Sequence, residues 1–480
     1  VKVPLLTAIF GTLLAGCSLA PRYQVPAPPE FVDYKEIGNW VTAQPARAQS
    51  DQDWWSAFND PQLSRLELTL NESNPDLGAA VARLQESQAI ARRSRSDLFP
   101  AVGAGASATR ALSSSNAPLP AALGGHTSPV SDFLTRVDLS WEIDLFGRLR
   151  NAAAAAGADA QASAADLAAV RLSLQAELAD DYFSQRGAEA SEHLLAEAIS
   201  NYDRAYELTR NRYQQGTAAA TDVEQADTQR QNARAQLAAT QLQRAQLEHA
   251  IAVLLGQVPA RFSLPPGVLA AAPPVLSVPL PSTLLQRRPD VAAAERRMAA
   301  ANARIGVARA AWFPVFSLSG AAGFESIAAG RWLTAPSRLW SIGPTMQVPL
   351  LDAGARAALN RQARAVYDEA LNNYRKVTLT AYQEVEDELA GLRYLADQLR
   401  ADQAASASAQ SAAYHADQRY DTGVTDYIEV TTTHTAALQA ERDAINVRVA
   451  ELNAAVALVR ATGGGWSNPL QASQSGPGRD

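Results

Sequence analysis

The feature that most restricts what this chain can fold into is an internal duplication. Asn74-Pro75-Asp76 opens a helix-prone stretch that closes at Leu98-Phe99-Pro100, and Arg288-Pro289-Asp290 opens another that closes at Trp312-Phe313-Pro314. In both copies 25 residues separate the two prolines, Pro75 to Pro100 and Pro289 to Pro314. Arg212-Tyr213-Gln214-Gln215-Gly216 returns 207 residues later as Arg419-Tyr420-Asp421-Thr422-Gly423. Two independent agreements of order and spacing mark a fold built from two like units. The proline-rich stretch from Pro259 to Pro281 is the seam between them.

Each unit contains a segment too long for a globule. Arg148 to Tyr213 has no proline and is dense in Ala, Leu, Gln, Glu and Arg. As one helix it makes a rod of about 100 Å. A matching rod runs from about Gly354 to Tyr420, and shorter helices return after the Tyr-x-x-Gly turns, over Ala219 to Leu255 and Thr425 to Ala461. With the helix from Pro75 to Leu98 laid end to end, the returning helix spans roughly the length of one rod. Ile445, Val449, Leu452, Val456 and Val459 step by alternating fours and threes, the seam of a coiled coil. Only 7% of the 480 residues are aromatic, which fits helices packed closely on alanine better than several compact cores.

Before each rod the period changes to two. Phe133, Val137, Leu139, Trp141, Ile143 and Leu145 alternate with Arg136, Asp138, Ser140, Glu142 and Asp144. The second unit sets Trp340, Ile342, Met346, Val348 and Leu350 against Ser341, Thr345 and Gln347. Gentler strands precede these, at Val102 to Arg110 and Val315 to Phe324, so each unit holds one strand pair. A soluble sheet with one wet face accounts for the alternation alone. The charge on one face and strands of roughly ten residues favour a membrane barrel, apolar toward lipid and polar toward a lumen. Four strands cannot close in hydrocarbon, where an open edge leaves backbone groups unbonded, so three copies would supply twelve.

The amino terminus reads as an export signal. Lys2 precedes an apolar run from Val3 to Ala15 that is too short to span a bilayer, and Leu14-Ala15-Gly16-Cys17 looks like a bacterial lipobox with Cys17 as the lipidated first residue. Ser18 rather than aspartate follows, as in lipoproteins that travel to the outer membrane. A proline-rich extended arm continues to Ser50. The formal net charge of −7 and the absence of a basic cluster exclude the electrostatic footprint of a nucleic-acid binder. His126, His193, His249, His415 and His434 are scattered surface histidines without metal-ligand spacing, and no phosphate loop follows a strand, so the chain is expected to be no enzyme, without metal or cofactor.

With these residues in hand, the chain resembles the TolC-like outer-membrane efflux proteins, in their lipoprotein (NodT-type) branch, from Cys17 to about Gly465. The resemblance also rests on Asp53-Trp54-Trp55-Ser56-Ala57-Phe58-Asn59-Asp60-Pro61, on Asn74-Pro75-Asp76-Leu77, and on Asp144-Leu145-Phe146-Gly147-Arg148 where strand becomes long helix. It implies a homotrimer, mainly α with membrane β: a twelve-strand outer-membrane barrel, four strands per protomer, continued by a long α-helical barrel. It implies as partners outer-membrane lipid, a periplasmic adaptor (membrane fusion) protein and an inner-membrane transporter of the RND type. The expected divisions are a signal peptide over 1–16, a lipidated arm over 17–50, repeats over 51–258 and 284–465, a linker over 259–283 and a disordered tail over 466–480.

The resemblance also places a gate at the periplasmic tip, beside the hairpin turns at Gly216 and Gly423. There a bond from Tyr420 to Asp222 would hold the duct closed. Relatives carry acidic rings one turn apart. Here Glu429 matches one position and Thr432 takes the other, Thr425 replaces an arginine, and Asp426 and Glu429 remain to make a negative ring. Asp144, Gly147 and Arg148 are expected to be architectural. The competing readings are a periplasmic coiled-coil adaptor, which would show one hairpin rather than two, and a structural spacer without a lumen.

Overall fold

The computed structural model describes residues 18–27, 34–36, 53–112, 114, 128–270, 272–274 and 287–467. The expected signal segment, Cys17, most of the arm and much of the linker and tail lie outside the described residues. The elements, in order, are α1 (Pro61–Ser73), α2 (Pro75–Ser96), β1 (Ala101–Ala111), β2 (Val130–Ile143), α3 (Arg148–Gln214) and α4 (Ala220–Leu254). The second copy follows with α5 (Pro289–Ala310), β3 (Val315–Ser326), β4 (Arg338–Gln347), α6 (Ala355–Asp421) and α7 (Tyr427–Ala461). Both rods have 67 residues and both returning helices have 35. The fold class is the expected one: mainly helical, duplicated, with one small sheet.

The chain divides into two compact units, one comprising 1–26, 84–163 and 294–374, the other 27–83, 164–293 and 375–480. The first holds the sheet. The two strand pairs join into a single antiparallel meander in the order β1-β2-β3-β4. The register sorts the side chains by chemistry. Val102, Leu139, Gly320 and Ile342 stand in one cross-strand row, and Ala104, Val137, Ala322 and Trp340 in another on the same face. The row between them is Gly103, Asp138, Ala321 and Ser341, on the opposite face. Val102, Val137, Trp340, Ile342 and Met346 are exposed, so the described residues leave much of the apolar face uncovered. Leu145, Val348 and Leu350, counted into the alternation from sequence, lie beyond the ends of β2 and β4.

The second unit is a helical core. Trp54 and Trp55, in a short 3-10 turn, pack with Leu63 and Leu70 of α1, Leu178 and Phe183 of α3, and Leu452 and Val456 of α7. The heptad seam is buried from Leu452 onward, while Ile445 and Val449 are half-buried. Close approach of α3 and α7 depends on Gly187: a Cβ there would lie 2.3 Å from Val449 Cγ2. Helix α1 has no counterpart in the sequence reading. Its start is the Asp60-Pro61 pair, with Asp60 Oδ1 accepting from the amides of Gln62 and Leu63 at 2.8 and 3.1 Å, and proline at the first helical position. The Tyr182 hydroxyl donates to Asp60 Oδ2 at 2.7 Å, tying that cap to α3. Asn74 does similar work for α2, accepting from the Leu77 amide at 2.8 Å while its own amide donates to Leu254 O at 2.7 Å.

Candidate gate at the paired helix turns

The two rods end by the same device. Gly216 and Gly423 take φ of 72° and 75°, the left-handed region where glycine carries no Cβ penalty. The Gly216 amide donates to Tyr213 O and the Thr217 amide to Arg212 O, both at 2.9 Å; 207 residues later Gly423 donates to Tyr420 O at 3.0 Å and Val424 to Arg419 O at 2.9 Å. The carbonyls at each helix end are thereby satisfied and the chain reverses. The turns fall where the sequence placed them.

The side chains around the two turns differ. Asp222 and Glu429 are equivalent by the 207-residue offset, yet they do different things. Asp222 Oδ2 accepts from the Ala219 amide at 3.2 Å, closing the first turn of α4 locally. Glu429 Oε1 pairs with Arg419 Nη1 at 2.5 Å, and its other oxygen accepts from the Thr425 hydroxyl. Arg212, the equivalent of Arg419, instead lies over the ring of Tyr420 with its guanidinium carbon 4.4 Å from the centroid. The Tyr420 hydroxyl is 3.4 Å from Thr209 Oγ1. Among the described residues of one chain Tyr420 therefore meets α3 through Arg212 and Thr209, while Asp222 bonds its own helix start. Thr432 donates its hydroxyl back to Ile428 O at 2.8 Å, and Asp426 is exposed at the N-cap of α7 with no side-chain cap bond. Because Arg419 offsets Glu429, the carboxylate of Asp426 is the less compensated of the two.

Three contacts that the sequence did not announce reinforce the tip. His434 Nε2 of α7 lies 2.8 and 3.0 Å from the carboxylate oxygens of Asp417 on α6 and edge-on to Tyr202 of α3. Its side chain is 26% exposed, so it is not the surface histidine read from sequence; the partner stands 17 residues back, across the turn. Arg234 of α4 pairs with Asp203 of α3 at 2.9 Å. Tyr427 is buried beside Tyr420, ring centroids 5.5 Å apart, and burial, with Tyr420, Tyr202 and Asp417 near by, pushes its phenol up to about 12.

At the other end of α3 the strand-to-helix turn is a charge lock. Gly147 takes φ of 77°; Asp144 Oδ2 accepts from the Arg150 amide at 2.9 Å, and Arg148 grips Glu142 with two bonds of 2.8 and 2.6 Å. The aromatic side chains collect at this level: Phe146 stacks on Phe313 at 4.5 Å, Trp141 Nε1 donates to Leu98 O, and Arg356 lies over Trp312. Among the described residues no group of three or more His, Cys, Asp or Glu is placed to hold a metal ion.

The family model described as outer membrane efflux protein matches this chain twice, over residues 69–257 and 280–464. The chain belongs to that family. The double match falls on the two repeats, and the efflux protein is an outer-membrane channel component rather than an adaptor. The toluene efflux pump outer membrane protein TtgF of Pseudomonas putida is 33% identical over 476 residues, covering 97% of this chain and 98% of its own. The cation efflux system protein CusC of Escherichia coli O157:H7 is 30% identical over 457 residues, covering 94% and 96%. The solved outer-membrane channel OprN superposes with a TM-score of 0.87 at 32% identity, over 94% of this chain and 100% of that one.

Proposed function

We propose that three copies of this efflux protein close their four-stranded sheets into a twelve-strand barrel and gather their rods into a tunnel that carries small molecules from an inner-membrane transporter of the RND type, through a periplasmic adaptor, to the exterior. The observation that carries the reading is the sheet: an apolar face that the described residues leave largely uncovered, and two outer strands, β1 and β4, each with one neighbour among the described residues. In hydrocarbon such edges must be paired, and pairing β1 of one copy with β4 of the next closes the ring.

Cargo selection lies outside the shared duct in this reading. Relatives named for toluene and for cations match at 33% and 30% identity over nearly the whole chain, so one architecture serves chemically unlike cargo. Cys17 is proposed as the acylated residue that adds a second membrane attachment to the barrel. The tip, with Asp222, Tyr420, Asp426, Glu429 and Thr432 around the turns at Gly216 and Gly423, is proposed as the gate, and the actual contacts of Tyr420 bring Arg212 and Thr209 into it. Light scattering of the detergent-purified protein tests the assembly: a three-chain particle is expected, and a monodisperse single chain would return the reading to a periplasmic spacer.

A further inference from the structure

Beside the strand-to-helix turn, within the unit that holds the sheet, lies a cavity of about 650 Å³ that the gating and conduction of the channel do not use. Its wall carries three guanidinium groups, Arg95, Arg150 and Arg296, with the amides of Asn151, Gln161 and Asn302, and no carboxylate. Arg150 is held by Asp144 at 3.1 Å and Arg296 by Glu295, but neither of those acids lines the cavity. Arg95 is exposed, and its side chain has no ion pair or hydrogen bond among the described residues, so the wall keeps an uncompensated positive charge. Asn151 is only 6% exposed; its Oδ1 accepts from the Ser18 hydroxyl at 2.9 Å, while its Nδ2 has no partner. A buried amide donor without an acceptor is a cost that a bound anion would relieve.

Depth decides what the anion is. Leu98, on the wall of the cavity, accepts the Trp141 indole through its carbonyl, and the Phe146–Phe313 and Trp312–Arg356 contacts belong to the same turn region. Aromatic rings with one polar edge collect where a barrel leaves hydrocarbon for the headgroup layer. Resting on the barrel proposed above, a basic pocket at that level, on the helical side of the strands, would face the headgroups of the periplasmic leaflet. Small residues complete the lining, among them Gly157 and Ala158, and the volume leaves room for a glycerophosphate. Residues 20–23 of the arm border the opening, tied down by Asn302 Nδ2 to Pro21 O at 2.9 Å and by Tyr23 to Glu295.

We propose that this cavity binds the phosphate of an anionic phospholipid headgroup, one per protomer, with Arg95 as the principal contact. The test is native mass spectrometry of the detergent-purified full chain incubated with equal amounts of phosphatidylglycerol and phosphatidylethanolamine. The parent is expected to retain phosphatidylglycerol about tenfold over the zwitterionic lipid, a difference typical of one charge-assisted contact. Arg95→Glu should abolish that preference and Arg95→Lys keep most of it, both with parental oligomeric mass, since the Arg95 side chain is exposed and unbonded among the described residues. Equal retention of the two lipids by the parent, or an undiminished preference in Arg95→Glu, overturns the proposal. Displacement of the lipid by millimolar inorganic phosphate, with phosphate left bound, would assign the cavity to a free anion and overturn the lipid source.

Discussion

Glu67 sets a carboxyl group inside the helical core on the same face of α1 as Leu63, Leu66 and Leu70, with neither oxygen bonded. Burial pushes its pKa well above the ordinary value, because nothing there offsets a charge. The folded protein thus holds a proton that the unfolded chain releases, and stability is greatest below the usual carboxylate range and falls as pH rises toward the folded value. Glu67→Gln keeps the shape without the ionisation. Thermal melts of that variant should match the parent at pH 4 and exceed it at pH 8; the same pH slope in both proteins would contradict the assignment. Gly187 yields a steric prediction. Gly187→Ala should cost about 1–3 kcal/mol by overpacking against Val449, and adding Val449→Ala should restore most of it in a denaturation series. Neither role is visible in the sequence, since a lone glutamate between leucines reads as a solvated position and a glycine in a rod as a blemish. Their roles depend on which neighbour arrives, and that is decided by packing.

The elements were far more legible. A 67-residue rod free of proline, a period of two, and a left-handed glycine after Tyr-x-x each have a local physical cause, so rods, strands and turns fell within a few residues of expectation. Helix α1 is not legible because its thirteen residues carry only a short apolar stripe and its signal, Asp60-Pro61, reads equally as part of a family motif. The joining of β2 to β3 escaped too, since period gives the face of a strand but not its neighbour. The faces themselves make a prediction. Val137→Arg places a charge on the apolar side of β2 and should cost about 2–4 kcal/mol of membrane-embedded stability. Ser140→Arg, on the opposite face, should be nearly neutral. Yields of folded protein in outer-membrane fractions compare the two, and equal yields would mean that the apolar face does not meet lipid.

At the scale of the whole molecule, the duplication produces near-equivalent turns with unequal chemistry. Arg419 is spent on Glu429, whereas its equivalent Arg212 covers Tyr420, so the polar contact between rods at the tip runs through Tyr420, beside the apolar packing of Ala416 with Ala205 and Tyr206. The sequence places the hairpin turns at Gly216 and Gly423 and names Tyr420 beside them, but the partner it suggests, Asp222, bonds its own helix start within the chain. Spacing along a helix could not show that α3, rather than α4, presents its side chains to that ring. The proposed function makes the protein a duct closed at this tip. Single-channel conductance in a planar bilayer tests it most directly, with the parent compared with Tyr420→Phe, Arg212→Ala and Asp222→Ala. Low conductance in the parent that rises severalfold in Arg212→Ala, with a smaller rise in Tyr420→Phe, is the expected result; trimeric protein that conducts nothing in any variant would contradict the duct itself.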